Sequence, residues 1–360
     1  MECLHPIMLK SGVLVPCGQC TLCQSAKRTE KSLLVQMHCE YFPNMPLFIG
    51  LSYDPENLPL YCTCSTSDRL DHAPAWSEAR FYNRQSVDEL NLSCTVPSLH
   101  RRDVSSFLKH YKRVCGLTND KFQYFGCGEY GDQYDRPHYH LIWFGDENLE
   151  KLYQSDVHSA ERWLAEFWQK GHVDINVAEW SGIHYVTKYC LKDDQHFPDG
   201  AVPPFTISSN GLGLPWLKSD QAERIRQQLM YVQFNKDKIY SHIDLSCLDW
   251  KDHNHRIDQL KEMVEFLRPQ MPDFKIILPS GNKGFLPRKL KRLLLGSFQH
   301  FKDSPIWLYS ELQAWLETEL YLRDNHQFDE TNERSYGLQQ MESHAYAINL
   351  RINRNKKRYV

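Results

Sequence analysis

The sequence lacks a charge excess, a long apolar run and a nucleotide-binding loop. Its 42 Lys and Arg stand against 45 Asp and Glu, a formal net charge of −3 over 360 residues. A nucleic-acid partner would therefore be met by local basic patches rather than by the chain as a whole. No stretch of about 18 apolar residues occurs, so no membrane-spanning helix is expected. The opening Met1-Glu2-Cys3-Leu4-His5-Pro6 has no basic stretch followed by an apolar core, so no secretory signal is expected either. No G-x-x-x-x-G-K-[ST] loop is present, which leaves a fused NTPase helicase unsupported. Internal repeats are also absent.

Cysteine and aromatic residues are what the chain has in quantity. Hydrophobic residues at 41% and charged residues at 24% are ordinary for a globular protein. There are 12 Cys, and with no expected secretory signal a disulfide framework explains them poorly. The 19 Tyr and 9 Trp suit stacking on unpaired bases and filling a core equally well. Cys3, Cys17, Cys20 and Cys23 cluster in residues 1–25. Four thiolates in a tetrahedral set suit structural zinc, which would staple a segment too short to fold alone. The same C-x-x-C-x-x-C spacing also resembles iron–sulfur ligation. Free buried thiols in a reducing compartment are the plain alternative.

The most informative stretch runs from Gly128-Glu129-Tyr130-Gly131 to Arg136-Pro137-His138-Tyr139-His140-Leu141-Ile142-Trp143-Phe144. It reads as a strand end, a short loop and a second strand. Residues i and i+2 of a strand share a face, so His138 and His140 point one way and Tyr139 the other. Two imidazoles on one face make a metal clamp, and a hairpin would let Glu129 supply a third ligand. A His-x-His pair in a chain with 17 His also arises by chance. Downstream, Tyr185, Lys188, Tyr189 and Lys192 fall at i, i+3, i+4 and i+7, one face of a helix. Two core tyrosines on an amphipathic helix are the bland account, but two ammonium groups on that face resist burial.

Together these motifs resemble the HUH endonucleases, in which a His-bulky-His strand is followed by a Tyr-bearing helix. The match is most similar to the replication initiators of the Microviridae, of the gokushovirus type. Further matching pieces are Pro16-Cys17-Gly18-Gln19-Cys20-Thr21-Leu22-Cys23, Leu51-Ser52-Tyr53-Asp54 and Leu286-Pro287-Arg288-Lys289. The resemblance implies an α+β fold, a mostly antiparallel, RNA-recognition-like sheet with flanking helices. It implies metal-dependent nicking and rejoining of origin DNA, with Glu129, His138 and His140 holding Mg²⁺ or Mn²⁺. Tyr185 and Tyr189 would be the nucleophiles, assisted by Lys188 and Lys192. The implied partners are single-stranded origin DNA, supercoiled replicative-form DNA and a host helicase and polymerase, in the bacterial cytoplasm.

The expected organisation is a Cys-rich segment over 1–25, an endonuclease domain over 26–195 and a mainly helical region over 196–360. Within the second, helices are expected over 26–41, 101–114 and 155–170, and strands over 47–53, 121–127, 138–144 and 172–180. These read as an antiparallel sheet with its helices on one face. Residues 60–98 show no clear periodicity and read as a loop or insertion. In the third region, Lys283, Arg288, Lys289, Lys291 and Arg292 form a basic segment entering a helix, a candidate for phosphate contact. Two other classes of function remain open on the residues alone. One is a His-x-His metalloenzyme that uses metal-bound water, and the other is a non-catalytic DNA-binding protein with structural zinc.

Overall fold

Residues 137–144 are apolar on both sides of the strand. Tyr139, Leu141 and Trp143 alternate with Ile142 and Phe144, so the strand needs cover on each face. In the computed structural model, which describes residues 3–63, 81–90, 95–131, 134–179, 183, 186, 197–296, 304–325, 343, 345–347 and 350, it is the centre of a five-stranded sheet. The strands are β1 (Leu47–Ser52), β2 (Gln123–Tyr130), β3 (Pro137–Phe144), β4 (Val173–Val177) and β5 (Phe205–Ser208). Their order is β5-β2-β3-β1-β4, and every neighbouring pair is antiparallel. The chain is thus α+β, as expected.

Helices cover both faces rather than one. Val104, Phe107, Leu108 and Tyr111 of α2 (Arg101–Val114) pack with Tyr139, Leu141 and Trp143, as do Ala160, Leu164 and Trp168 of α3 (Val157–Trp168). On the opposite face, Val35 of α1 (Thr21–Tyr41) clusters with Phe125, Cys127, Ile142 and Phe144. Ile183 and Val186, both helical and buried, belong to that second cluster. The expected single-faced arrangement fails because β2 and β3 are apolar on both sides along most of their length.

Two other expectations are corrected. The stretch 60–98 holds a three-stranded sheet of Leu60–Cys62, Phe81–Tyr82 and Thr95–Pro97, with a helix over Arg84–Leu90. Leu60, Tyr61 and Cys62 are all buried, so no alternation marks the strand. The helix expected over 155–170 ends an αα pair. Glu147–Ser155 and α3 are separated by Asp156, whose carboxylate caps α3 by accepting from the N–H of His158 and Ser159.

The chain divides into two compact units, 28–216 and a discontinuous one of 1–27 with 217–360. The second unit contains α4 (Asp220–Phe234), α5 (His253–Leu267), a two-stranded ribbon of β6 (Lys275–Ile277) and β7 (Lys283–Phe285), α6 (Arg288–Gly296) and α7 (Pro305–Asp324). Residues 1–27 therefore pack with the C-terminal region rather than standing alone. The Leu14 N–H, for example, donates to Thr318 Oγ1 at 3.0 Å. Among the described residues, no helix is long and apolar enough to cross a membrane.

Candidate metal centre

The β2–β3 register sets Glu129 directly opposite His138, and Cys127 opposite His140. Opposite residues of an antiparallel pair share a face, so Glu129 joins both imidazoles on one side of the sheet. Glu129 Oε1 lies 3.1 Å from His138 Nε2 and 3.1 Å from His140 Nε2. The imidazole centroids are 4.9 Å apart, with planes at 79°. One donor atom from each residue falls within 4.8 Å of the others, the spacing of a set that could hold a metal ion. Glu129 is buried and the histidines are partly exposed, so the set opens to solvent on one side.

Burial pushes the Glu129 carboxyl upward. Hydrogen bonds and charge from His138 and His140 outweigh this and hold it down to about 2. The site thus keeps one fixed negative charge against two imidazoles, the donor chemistry a divalent cation requires. His138 Nδ1 lies 3.0 Å from the Arg136 carbonyl. An Nδ1–H donating there leaves the Nε2 lone pair facing Glu129. Gly126 and Gly128 flank Cys127 on the opposite face of β2. A Cβ on Gly126 would stand 2.4 Å from the His140 carbonyl oxygen, so only glycine allows this strand approach.

Tyr139, between the two histidines, anchors the strand from beneath. It is fully buried, and a buried phenol needs partners for its hydroxyl. Its Oη lies 2.8 Å from Tyr53 Oη, donates to the His100 carbonyl at 2.9 Å and accepts from the His100 N–H at 3.0 Å. Tyr53 in turn donates to Asp103 Oδ2 at 2.9 Å. Asp103 also faces His100 at 3.2 Å and Lys170 at 3.3 Å. Sequence reasoning missed this network, because its members span residues 53–170. The available signal was a polar-tipped Tyr on the face of β3 that faces the core.

A second donor set lies in the other unit. Cys3 and Cys20 sulfurs are 3.8 Å apart, and those of Cys17 and Cys23 are 4.0 Å apart. A tetrahedron with metal–sulfur bonds of about 2.3 Å has edges of about 3.8 Å, so the four thiols fit one ion. Backbone N–H groups of Gln19 and Cys20 point at Cys17 Sγ, at 3.4 and 3.3 Å. Donation from the Cys23 and Leu4 backbones lowers the Cys20 thiol to about 6, while burial pushes Cys23 up to about 12. Four sulfurs this close ionise together only around a cation.

The family model described as Replication-associated protein ORF2 matches residues 90–194. Replication-associated protein ORF4 of Chlamydia phage 1 is 38% identical over 135 residues, 33% of this chain and 33% of that protein. Replication-associated protein ORF2 of Spiroplasma virus 4 is 22% identical over 265 residues, 70% of this chain and 73% of that protein. Replication-associated protein VP4 of Bdellovibrio phage phiMH2K is 24% identical over 190 residues, 51% of this chain and 50% of that protein. The chain is a relative of microvirus replication-associated proteins. No solved structure matches it.

In this replication-associated chain the family match contains Glu129, His138 and His140. It also contains Tyr185, Lys188, Tyr189 and Lys192, which lie outside the described residues. The five expected DNA-contacting cations divide by environment. Lys283 is exposed on the ribbon, and Arg288 and Arg292 are exposed on α6. Lys289 and Lys291 are partly buried, and burial lowers both ammonium groups. Lys291 Nζ rests 4.3 Å from the centroid of the Phe274 ring, which ties it to the fold.

Proposed function

We propose that this chain initiates rolling-circle replication of a circular single-stranded phage genome by nicking and rejoining origin DNA through a phosphotyrosine. The observation that supports this most directly is the Glu129 carboxylate bracketed by His138 and His140 at 3.1 Å each. The set has one oxygen and two imidazole donors, which suits Mg²⁺ or Mn²⁺. Such an ion, when bound, supplies Lewis acidity toward a phosphate oxygen and a template for the strand.

The chain's own residues carry the covalent step. A phenolic oxygen of Tyr185 or Tyr189 attacks the scissile phosphorus, the bond to the 3′ oxygen breaks, and the 5′ phosphate stays on the tyrosine. The leaving 3′ oxygen takes up a proton and becomes a primer end for a host polymerase. An ordinary phenol ionises near pH 10, so Lys188 and Lys192, on the same helical face by spacing, are assigned to stabilise the charge that develops. Spacing of four residues places the two tyrosines about 6 Å apart at Cβ. After one round, the second Tyr cleaves the regenerated origin, and the new 3′-OH attacks the first phosphotyrosine. That releases a circle and leaves the enzyme charged. The Cys3, Cys17, Cys20 and Cys23 set is assigned structural Zn²⁺, and the setting is the host cytoplasm with a host helicase.

Incubation with origin-containing single-stranded DNA and Mn²⁺ should yield a protease-sensitive, 5′-linked adduct. Tyr185→Phe and Tyr189→Phe should each retain one cleavage, and the double variant none. An adduct persisting in the double variant refutes the tyrosine assignment. Free 5′-phosphate product from the wild type points instead to metal-bound water.

A further inference from the structure

The ribbon β6–β7 has two unlike faces. Lys275 pairs with Phe285, and Ile277 with Lys283, so these four side chains share one side. The other side carries Ile276, with Leu278 and Leu286 just beyond the strands, and all three are buried. A glycine turn closes the ribbon, with Gly281 at φ +87°. The Leu286 N–H donates to the Phe274 carbonyl at 2.8 Å, extending the pairing. The outer edge of β6 is tied down, because Gln221 of α4 bonds both the N–H and the carbonyl of Ile277.

On this rigid base Phe285 is 72% exposed and Ile277 51% exposed. Isolated exposed apolar residues are ordinary. An aromatic ring, an isoleucine and two lysines on one ribbon face are a recognition surface of specific chemistry. Between residues 273 and 296 the sequence has six cations, Lys275, Lys283, Arg288, Lys289, Lys291 and Arg292, against Asp273 alone. That balance suits a polyanion rather than a protein or peptide of mixed charge. An exposed ring adds affinity only for bases that are not already stacked in a duplex.

We propose that this ribbon is a single-stranded DNA platform, in which an unpaired base stacks on Phe285 beside Ile277 while Lys275 and Lys283 flank backbone phosphates. Arg288 and Arg292, one turn apart on α6, continue the phosphate track. The inference rests on the reading that the chain handles single-stranded origin DNA, but not on which residue cuts it. It adds Phe285, Ile277 and Lys275 to the expected basic contacts and separates them from the partly buried Lys289 and Lys291.

The test uses the full chain and a fluorescent oligothymidylate. Phe285→Ala should weaken binding at least about fivefold, while Phe285→Trp retains it. The Lys275→Gln, Lys283→Gln pair should reduce the salt slope by about 0.7 per lysine. A 2-aminopurine strand should be quenched by the wild type and much less by Phe285→Ala. Both aromatic variants should melt like the wild type, since the ring is mostly outside the core. Wild-type affinity and quenching in Phe285→Ala overturn the proposal, as does equal weakening by Ala and Trp. Mn²⁺ affinity at Glu129, His138 and His140 should be unchanged in Phe285→Ala. If the wild type binds oligothymidylate through Phe285 but never forms an adduct, the nicking reading fails and the ribbon stands.

Discussion

Among single residues, Asp103 shows how the site is supported from below. Burial pushes its carboxyl up, but His100, Lys170 and the Tyr53 hydroxyl together hold it below the ordinary carboxylate range. A depressed carboxyl contributes stability above its unfolded value, near 3.9, and loses it as pH falls through the lower folded value. Asp103→Asn should therefore destabilise the sheet unit at pH 7, with the gap to wild type closing below about pH 4. Urea midpoints of the two proteins across that range check this. A gap that stays constant into acid would mean that the carboxylate charge is not what stabilises the network. Tyr53 and Tyr139 are in the same network, and burial raises both phenols, which excludes them as ionised nucleophiles at neutral pH. Their position between β3 and α2 makes them supports for the histidines.

At the level of elements, the imidazole strand was legible in the sequence. His138, Tyr139 and His140 obey the period of two, and Glu129 falls opposite because the loop between the strands is short. The helix on the imidazole face was not, since Val35 and Met37 read as core without saying which face they cover. Strands of two or three residues, as in 60–97 and the ribbon, are too short to display alternation. The site's ligands were local in sequence and so could be read, whereas its supports join distant segments and could not. In the second unit, α5 and α7 are joined by a buried ion pair. Arg256 donates to both Glu319 oxygens, at 2.8 and 3.0 Å, and Glu319 is fully buried. His253 Nδ1 stands 2.6 Å from the same carboxylate. Glu319→Gln leaves the Arg256 charge without its counterion and should cost about 3–5 kcal/mol. Replacing Arg256 with Met and Glu319 with Leu together should recover most of that loss, as measured by chemical denaturation.

For the whole molecule, the two donor sets lie in different units and should respond to different metals. Purified protein should carry one zinc per chain by elemental analysis if the thiol set is closed. Cys20→Ser should lose that zinc and lower the unfolding temperature, while Mn²⁺ binding at Glu129, His138 and His140 is retained. Loss of both metals together would mean that the sheet cannot hold its histidines without the thiol knot. Iron in place of zinc would show as visible absorbance.

The division of the chain also imposes an order of assembly. Residues 28–216 form a continuous unit, interposed between the two parts of the other, 1–27 and 217–360. On a ribosome the sheet and its histidines can finish folding while residues 3–23, already made, still await α7 and the Thr318 hydroxyl that Leu14 engages. During that interval the four thiols are exposed to cellular zinc and oxidants before their packing partners exist. How fast they load with metal in the nascent chain would then govern the yield of intact protein.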